Sequence, residues 1–288
     1  MQDRKVKVAA LSVFSNTILI IMKVIAGVLS GSVSIISEAI HSGMDLIASL
    51  IAFCSVKISG KPADREHPYG HGKVENVSGV IEGLLIFVAA YLIIKEAVEK
   101  IMHPGEINQA WVAILVMLIS AGVNFFVSRK LYQVAKEEDS IALEADALHL
   151  KTDVYTSLGV GIGLLLLKLT NIYLLDPFVA ILVALLIIKE SYVLCRNAFR
   201  PLLDFKLSDE EEGMIKQVLV KYQDQIVEFH ELKTRKSGHL KYIDFHLLVN
   251  YDLTVLMAHD LSEKIEKDLE EALKNTCVTI HIEPANVE

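Results

Sequence analysis

Six stretches of this chain are long and apolar enough to cross a bilayer, and that fact leaves few other folds open. A helix rises 1.5 Å per residue, so a hydrocarbon core of about 30 Å takes about 20 apolar residues. The runs fall at about 8–29, 33–57, 77–98, 110–132, 142–168 and 177–198. Breakers separate them: "LSGS", "GKPADREHPYGHGK", "HPGE", "AKEEDS" and "TNIYLLDP". Clusters of Gly, Pro and charge of this kind end helices. Hydrophobic residues make up 52% of the 288, and the mean hydropathy is +0.43, too apolar for an ordinary soluble protein. The start, "MQDRKVKVAAL", lacks a small-residue cleavage site before a long apolar run, so it reads as a first span rather than a cleaved signal peptide.

After Pro201 the texture changes. Residues 206–288 hold 10 Lys and Arg against 17 Asp and Glu, a net −7 of the chain's −8. The expected division is therefore a transmembrane domain, 1–205, and an acidic soluble domain, 206–288. No basic patch marks a nucleic-acid surface. The three cysteines, Cys54, Cys195 and Cys277, have no CxxC spacing and imply neither a disulfide framework nor a zinc knuckle. Lys and Arg concentrate at one set of span ends, with Arg4, Lys5, Lys7, Lys57, Lys61, Arg65, Lys73, Arg129, Lys130, Lys136, Arg196 and Arg200. The positive-inside rule makes that side cytoplasmic and both termini cytosolic in a multi-pass protein of the cell membrane.

The second and fifth spans carry charges that a bilayer does not tolerate without reason. "SEAIHSGMDLIASL" aligns with "ADALHLKTDVYTSL", matching Glu38 with Asp146, His41 with His149, Asp45 with Asp153 and Ser49 with Ser157. Each histidine follows an intramembrane asparagine, Asn16 or Asn124, by 25 residues. The two spans run in opposite directions, so the pattern predicts an inverted three-helix repeat with its site at the repeat interface near mid-bilayer. His-x-x-x-Asp puts both side chains on one helix face. Two such helices offer two imidazoles and two carboxylates, a set that suits a tetrahedral, borderline-soft ion such as zinc. Helix–helix hydrogen bonding and a metal-free proton relay are the other readings of these residues. Glu38 and Asp146 lie one turn away and are candidates for a proton or supporting role.

The paired motifs His41-x-x-x-Asp45 and His149-x-x-x-Asp153, the loop "PADREHPYGHGK" and the histidine-bearing tail together resemble the cation diffusion facilitator family, along the whole chain. The resemblance implies a homodimeric exporter that exchanges a cytosolic divalent metal, Zn2+ for this donor set, for protons across the lipid bilayer. It implies a transport site at His41, Asp45, His149 and Asp153. It also implies a loop site at Asp64, His67 and His71 and a cytosolic site at His230, His246, His259, His281 and Glu283. Lys73 with Asp204 resembles the family's charge interlock between membrane domain and tail.

The tail itself reads αββαβ. Ser208 caps an acidic first turn, and "IVEFHELKTR" and "HLKYIDFHLLVN" read as strands joined at Ser237-Gly238. Strand alternation puts Asp244 and His246 on one face, opposite Ile243, Phe245 and Leu247. It likewise puts His281 with Glu283, opposite Ile280 and Ile282. The expected fold class is a six-helix membrane bundle with a C-terminal cytosolic α+β domain resembling a metallochaperone. An intramembrane metallohydrolase would need a water position and a general base. Glu38 is available for that, but no HExxH occurs. A non-transporting metal sensor would leave the mid-membrane donors without a purpose.

Overall fold

The computed structural model describes residues 2–30, 33–102, 111–170 and 174–285, apart from the side chains at 27, 29–30, 33–38, 40–41, 100, 111–114, 160–170 and 176. The chain forms two compact units, Met1–Phe199 and Arg200–Glu288.

The first unit contains α1 (Gln2–Ser30), α2 (Val33–Ser59), α3 (Lys73–Met102), α4 (Trp111–Glu137), α5 (Ile141–Thr170) and α6 (Leu175–Phe199). Among the described residues α1, α2, α3, α4 and α6 are long and apolar enough to cross a membrane. The described half of the 30-residue α5 carries Glu144, Asp146, Lys151 and Asp153, which places its apolar run in the second half. Many large apolar side chains, such as Phe14, Phe126 and Leu182, point outward, as lipid-facing residues do, because lipid removes the usual reason to hide them.

Helix α1 packs along α2, α4 along α5, and α3 along α6, with α1 also meeting α4 and α2 meeting α5. Exchanging the first three helices for the last three preserves these pairings, as an inverted repeat requires. Small residues allow the closest approaches. A Cβ on Gly83 of α3 would stand 2.3 Å from Cys195 Sγ of α6, and Ser191 donates to the Gly83 carbonyl at 2.6 Å.

Contacts at the helix ends fix which ends share a side. Gln2 donates to the Val56 carbonyl (2.6 Å), Arg4 pairs with Glu137 (2.5 Å), Lys5 pairs with Glu75 (2.7 Å), and Asn76 donates to the Ala198 carbonyl (3.2 Å). The start of α1, end of α2, start of α3, end of α4, start of α5 and end of α6 therefore cluster at one end, here called the Glu75 end.

The second unit begins with a 3-10 turn, Arg200–Leu203, followed by α7 (Asp209–Val220), β1 (Glu228–Ser237), β2 (Leu240–Val249), α8 (Val255–Ala272) and β3 (Thr276–Pro284). The sheet order is β1-β2-β3, with β1 antiparallel and β3 parallel to β2. Gly238 at φ +59° opens the two-residue hairpin turn, where a side chain would be strained. One sheet face packs under the helices in a core of Ile215, Leu219, Ile243, Phe245, Leu247, Ile265 and Leu269, as strand alternation predicts.

Helix α7 starts in a capping box. The Glu211 N–H donates to Ser208 Oγ (3.2 Å), and the Ser208 N–H donates to Glu211 Oε2 (3.0 Å). Burial works against the Glu211 carboxylate. The Ser208 N–H and hydroxyl and the Lys241 ammonium (3.2 Å) outweigh it and hold the carboxyl below its ordinary value of 4.5. A carboxyl depressed on folding stabilises the fold above its unfolded value, and that stability is lost as pH falls through the folded value. Ser208→Ala is expected to cost about 1 kcal/mol in urea unfolding of residues 200–288. Glu211→Gln should flatten the loss of stability between neutral pH and pH 3.

Candidate metal centres

The deepest cluster brings together Asp45 of α2 with His149 and Asp153 of α5, whose ligand atoms all lie within 4.8 Å of one another. Asp45 Oδ1 and His149 Nε2 are 3.2 Å apart, across a sequence separation of 104 residues. Asp45 stands 14 residues before the end of α2 and Asp153 12 residues after the start of α5, roughly 20 Å from the Glu75 end. Both Asp45 and His149 are buried.

Neighbouring amides and hydroxyls orient the cluster. Asn124 of α4 donates to Asp153 Oδ2 (3.3 Å). Asn16 of α1 donates to Ser49 Oγ (2.5 Å), and Ser49 donates to the Asp45 carbonyl (2.9 Å). The His149 Nδ1 is buried without a hydrogen-bond partner among the described residues.

His41 lies one turn before Asp45 on α2, but its side chain and that of Glu38 are outside the described residues. Asp146, one turn before His149, is fully buried, and neither of its oxygens is hydrogen-bonded among the described residues. Glu82 of α3 is in the same condition. It was not singled out from sequence, although an acid inside an apolar run is a readable signal.

A cavity of about 510 Å3 borders Asp45 and Asp153. Its other lining residues include Lys23, Ser42, Glu96, Met117 and Ala180, all toward the helix ends opposite the Glu75 end. Lys23 is itself buried and donates to Ser42 Oγ at 2.6 Å.

The loop between α2 and α3 gathers Asp64, His67 and His71. His67 Nδ1 is 3.3 Å and His71 Nε2 3.4 Å from the two Asp64 oxygens, with the rings 4.4 Å apart. Asp64 Oδ1 also accepts the backbone N–H of His67 (2.7 Å) and Glu66 (3.0 Å). These bonds, the His67 N–H foremost, hold its carboxyl below the ordinary aspartate range, so it stays an anion beside the two imidazoles.

The third group lies on the open face of the sheet. His230, His246 and His281 are in register across β1, β2 and β3, so three imidazoles stand in a row. Glu283, two residues beyond His281, reaches His246 Nδ1 (2.9 Å), His230 Nε2 (3.4 Å) and His281 Nε2 (3.5 Å). His230, His246 and Glu283 have ligand atoms within 4.8 Å of one another. His259 is not in this group and pairs with Glu263 one turn along α8 (3.3 Å).

A β-bulge at 231–232 turns Glu231 toward the row with φ +50°, and its carboxylate lies 3.8 Å from His246 Nε2. The Lys233 ammonium, bonded at 2.9 Å, holds the Glu231 carboxyl below the usual glutamate range. Sequence pattern alone gives no sign of this bulge. Asp204 lies 3.6 Å from Arg235 within the second unit.

The donor sets in all three groups fit a divalent ion. Each mixes imidazole nitrogen with carboxylate oxygen, as zinc sites do. A membrane helix bundle with a buried His/Asp cluster, followed by an α/β unit bearing a histidine row, defines the class of multi-pass metal-handling membrane proteins. Residues 9–203 match the cation efflux transmembrane domain, and residues 207–285 match the cation efflux protein cytoplasmic domain. The chain belongs to the cation efflux family and is a metal cation efflux transporter, not an enzyme.

The chain is 37% identical over 263 residues to an uncharacterized transporter of Synechocystis, covering 91% of this chain and 85% of that protein. It is 31% identical to the manganese efflux system protein MneP of Bacillus subtilis, covering 96% and 95%. It is 28% identical to the cation-efflux pump FieF of Shewanella oneidensis, covering 96% and 93%.

The row geometry assigns unequal weight to the tail histidines. In zinc titrations of residues 200–288 followed by calorimetry, His246→Ala or Glu283→Gln should weaken binding at least about tenfold. His259→Ala should leave it unchanged.

Proposed function

We propose that this protein exports a divalent metal cation from the cytosol in exchange for protons, binding the ion at His41, Asp45, His149 and Asp153. The observation that carries the reading is the convergence at mid-helix of buried Asp45 and His149 with half-buried Asp153, the two carboxylates bordering a cavity. An isolated charge there is costly, and an arriving cation offsets two carboxylates at once. Metal and protons compete for these ligands, because an imidazole or carboxylate that holds a proton at its ligating atom cannot bind the ion. In a cytosol-facing state the deprotonated set captures metal. Facing a more acidic outside, protonation of the same atoms releases it. Rocking of the two three-helix halves about the fixed site gives alternating access.

In this reading both termini are cytosolic in the cell membrane, as the Lys and Arg distribution favours. The protein works as a homodimer, which the match to the family's cytoplasmic domain supports. The loop cluster and the histidine row sense or hold cytosolic metal. Glu38 and Asp146 tune proton binding around the site.

Two nitrogen and two oxygen ligands favour zinc, since manganese prefers an all-oxygen set. A relative at 31% identity bears the name of a manganese efflux system, which favours manganese as the second reading. Flux in proteoliposomes with an imposed pH gradient decides between them. Zinc uptake should exceed manganese uptake, and Asp45→Ala or Asp153→Ala should abolish both. Undiminished pH-driven uptake in either variant would overturn the site assignment.

A further inference from the structure

The Glu75 end of the bundle is held shut by one carboxylate. Glu75 Oε1 accepts from Lys5 Nζ (2.7 Å) and from Ser59 Oγ (2.6 Å), while Oε2 accepts from Ser140 Oγ. These partners come from α1, α2 and the residue that precedes α5, so one side chain of α3 ties four segments together. Lys5 and Glu75 are only 2% and 1% exposed. Outside this hub, Arg4 pairs with Glu137 at 2.5 Å, which reinforces the same closure at the surface.

From this hub a seam of buried hydroxyls leads inward between α1, α2 and α3. Ser78 donates to Ser55 Oγ at 2.8 Å, Ser12 donates to Ser49 Oγ at 3.2 Å, and Ser49 donates to the Asp45 carbonyl. All four serines are buried inside the bundle. Buried hydroxyls between helices join them by hydrogen bonds, and where the helices part the same hydroxyls would line a polar path toward Asp45. The cavity beside Asp45 and Asp153 extends the other way, toward Lys23 and Glu96.

We infer that Lys5, Ser59, Glu75 and Ser140 form the gate that closes the cytosolic end of the metal path, with Glu75 as the positioning residue. The inference rests on the alternating-access reading and names the element that switches. A gate made of charged hydrogen bonds can be exchanged for water when it parts. Each group then regains a partner in an aqueous vestibule, whereas a gate of interlocked apolar side chains would expose dry surface. The buried ion pair is in this respect a specificity device rather than a simple staple, since such pairs are weak sources of net stability. The structure then represents the state with its cytosolic gate shut and its cavity on the opposite side.

The test uses the full chain in lipid nanodiscs, where both faces are wet, with Cys54, Cys195 and Cys277 replaced by serine. One single-cysteine reporter, Ser55→Cys, lies in the seam behind the gate, and another, Met117→Cys, lies in the opposite cavity. With the gate intact, a water-soluble maleimide should label Met117→Cys quickly and Ser55→Cys slowly. Glu75→Gln removes the charge that anchors the gate. It should raise the Ser55→Cys rate about tenfold or more, the scale of one charged hydrogen bond to a buried carboxylate. The Met117→Cys rate should fall in the same variant.

Lys5→Met leaves both serine bonds to Glu75 but removes the cation that balances its charge, and the same direction is expected. The exchange of charges, Lys5→Glu with Glu75→Lys, should restore the original rates. Ser55→Cys labelling that stays slow in both single variants would overturn the gate, as would parallel increases at both reporters, which mean general loosening. Labelling reads the gate without any ion flux, so failure of the metal-exchange reading would show separately, as absent pH-driven flux in the unaltered chain.

Discussion

The cost of placing an ionisable group in hydrocarbon organises this molecule more than any apolar contact does. In the first unit several buried polar groups are matched by groups from another helix, Asp45 with His149, Asp153 with Asn124, Glu75 with Lys5 and Lys23 with Ser42, while the carboxylates of Asp146 and Glu82 are not hydrogen-bonded among the described residues. Lipid offers no hydrophobic drive for helices to associate, so polar contacts and close packing of small residues determine which helices meet. The pairing α3 with α6 needs Gly83 to admit Cys195, whereas α2 with α5 is joined by the candidate metal ligands themselves. The site is therefore also part of what holds the two halves together. Under the proposed exchange, an ion or proton entering it would change those same helix contacts.

The three ligand clusters differ in how they see water. In the Asp45–His149–Asp153 group two members are buried and one is half-buried at the edge of a cavity. In the Asp64 loop, Asp64 and His67 are exposed and held by local hydrogen bonds, while His71 is largely covered. The histidine row is intermediate: strand register sets its spacing and the helix-packed core behind it keeps that register rigid. The strand-set row suits holding metal in place, and in the proposed exchange the membrane site would pass it on.

Much of this was legible in the chain. Hydropathy located the helices because bilayer thickness leaves little choice of length. Period-two alternation in "YIDFHLLV" separated the core face from the histidine face because a sheet has only two faces. The i, i+4 spacing of His and Asp in two spans announced the site, since no apolar environment tolerates such residues by chance. What could not be read was long-range pairing among residues with ordinary local roles. Glu75 at the start of α3 reads as a favourable helix-start acid, and nothing local says that Lys5, 70 residues earlier, completes it. Glu231 reads as a strand residue, and only the bulge aims it at His246. The isolation of His259 from the histidine row likewise depends on where α8 crosses the sheet.

The two halves are alike in packing but not in hydrogen bonding, and the difference carries meaning. Asn16 and Asn124 hold equivalent places in the repeat. Asn16 binds Ser49, one turn beyond Asp45, whereas Asn124 binds Asp153 itself. If the halves were locked in identical polar contacts, the site would be symmetric and neither end would be favoured. With one asparagine on a hydroxyl and the other on a carboxylate, the halves occupy different members of a matched pair of arrangements. Under the alternating-access proposal, exchanging those contacts would accompany closure at the Glu96 end in place of the Glu75 end. An inverted repeat thus supplies two nearly equivalent packings of the same helices.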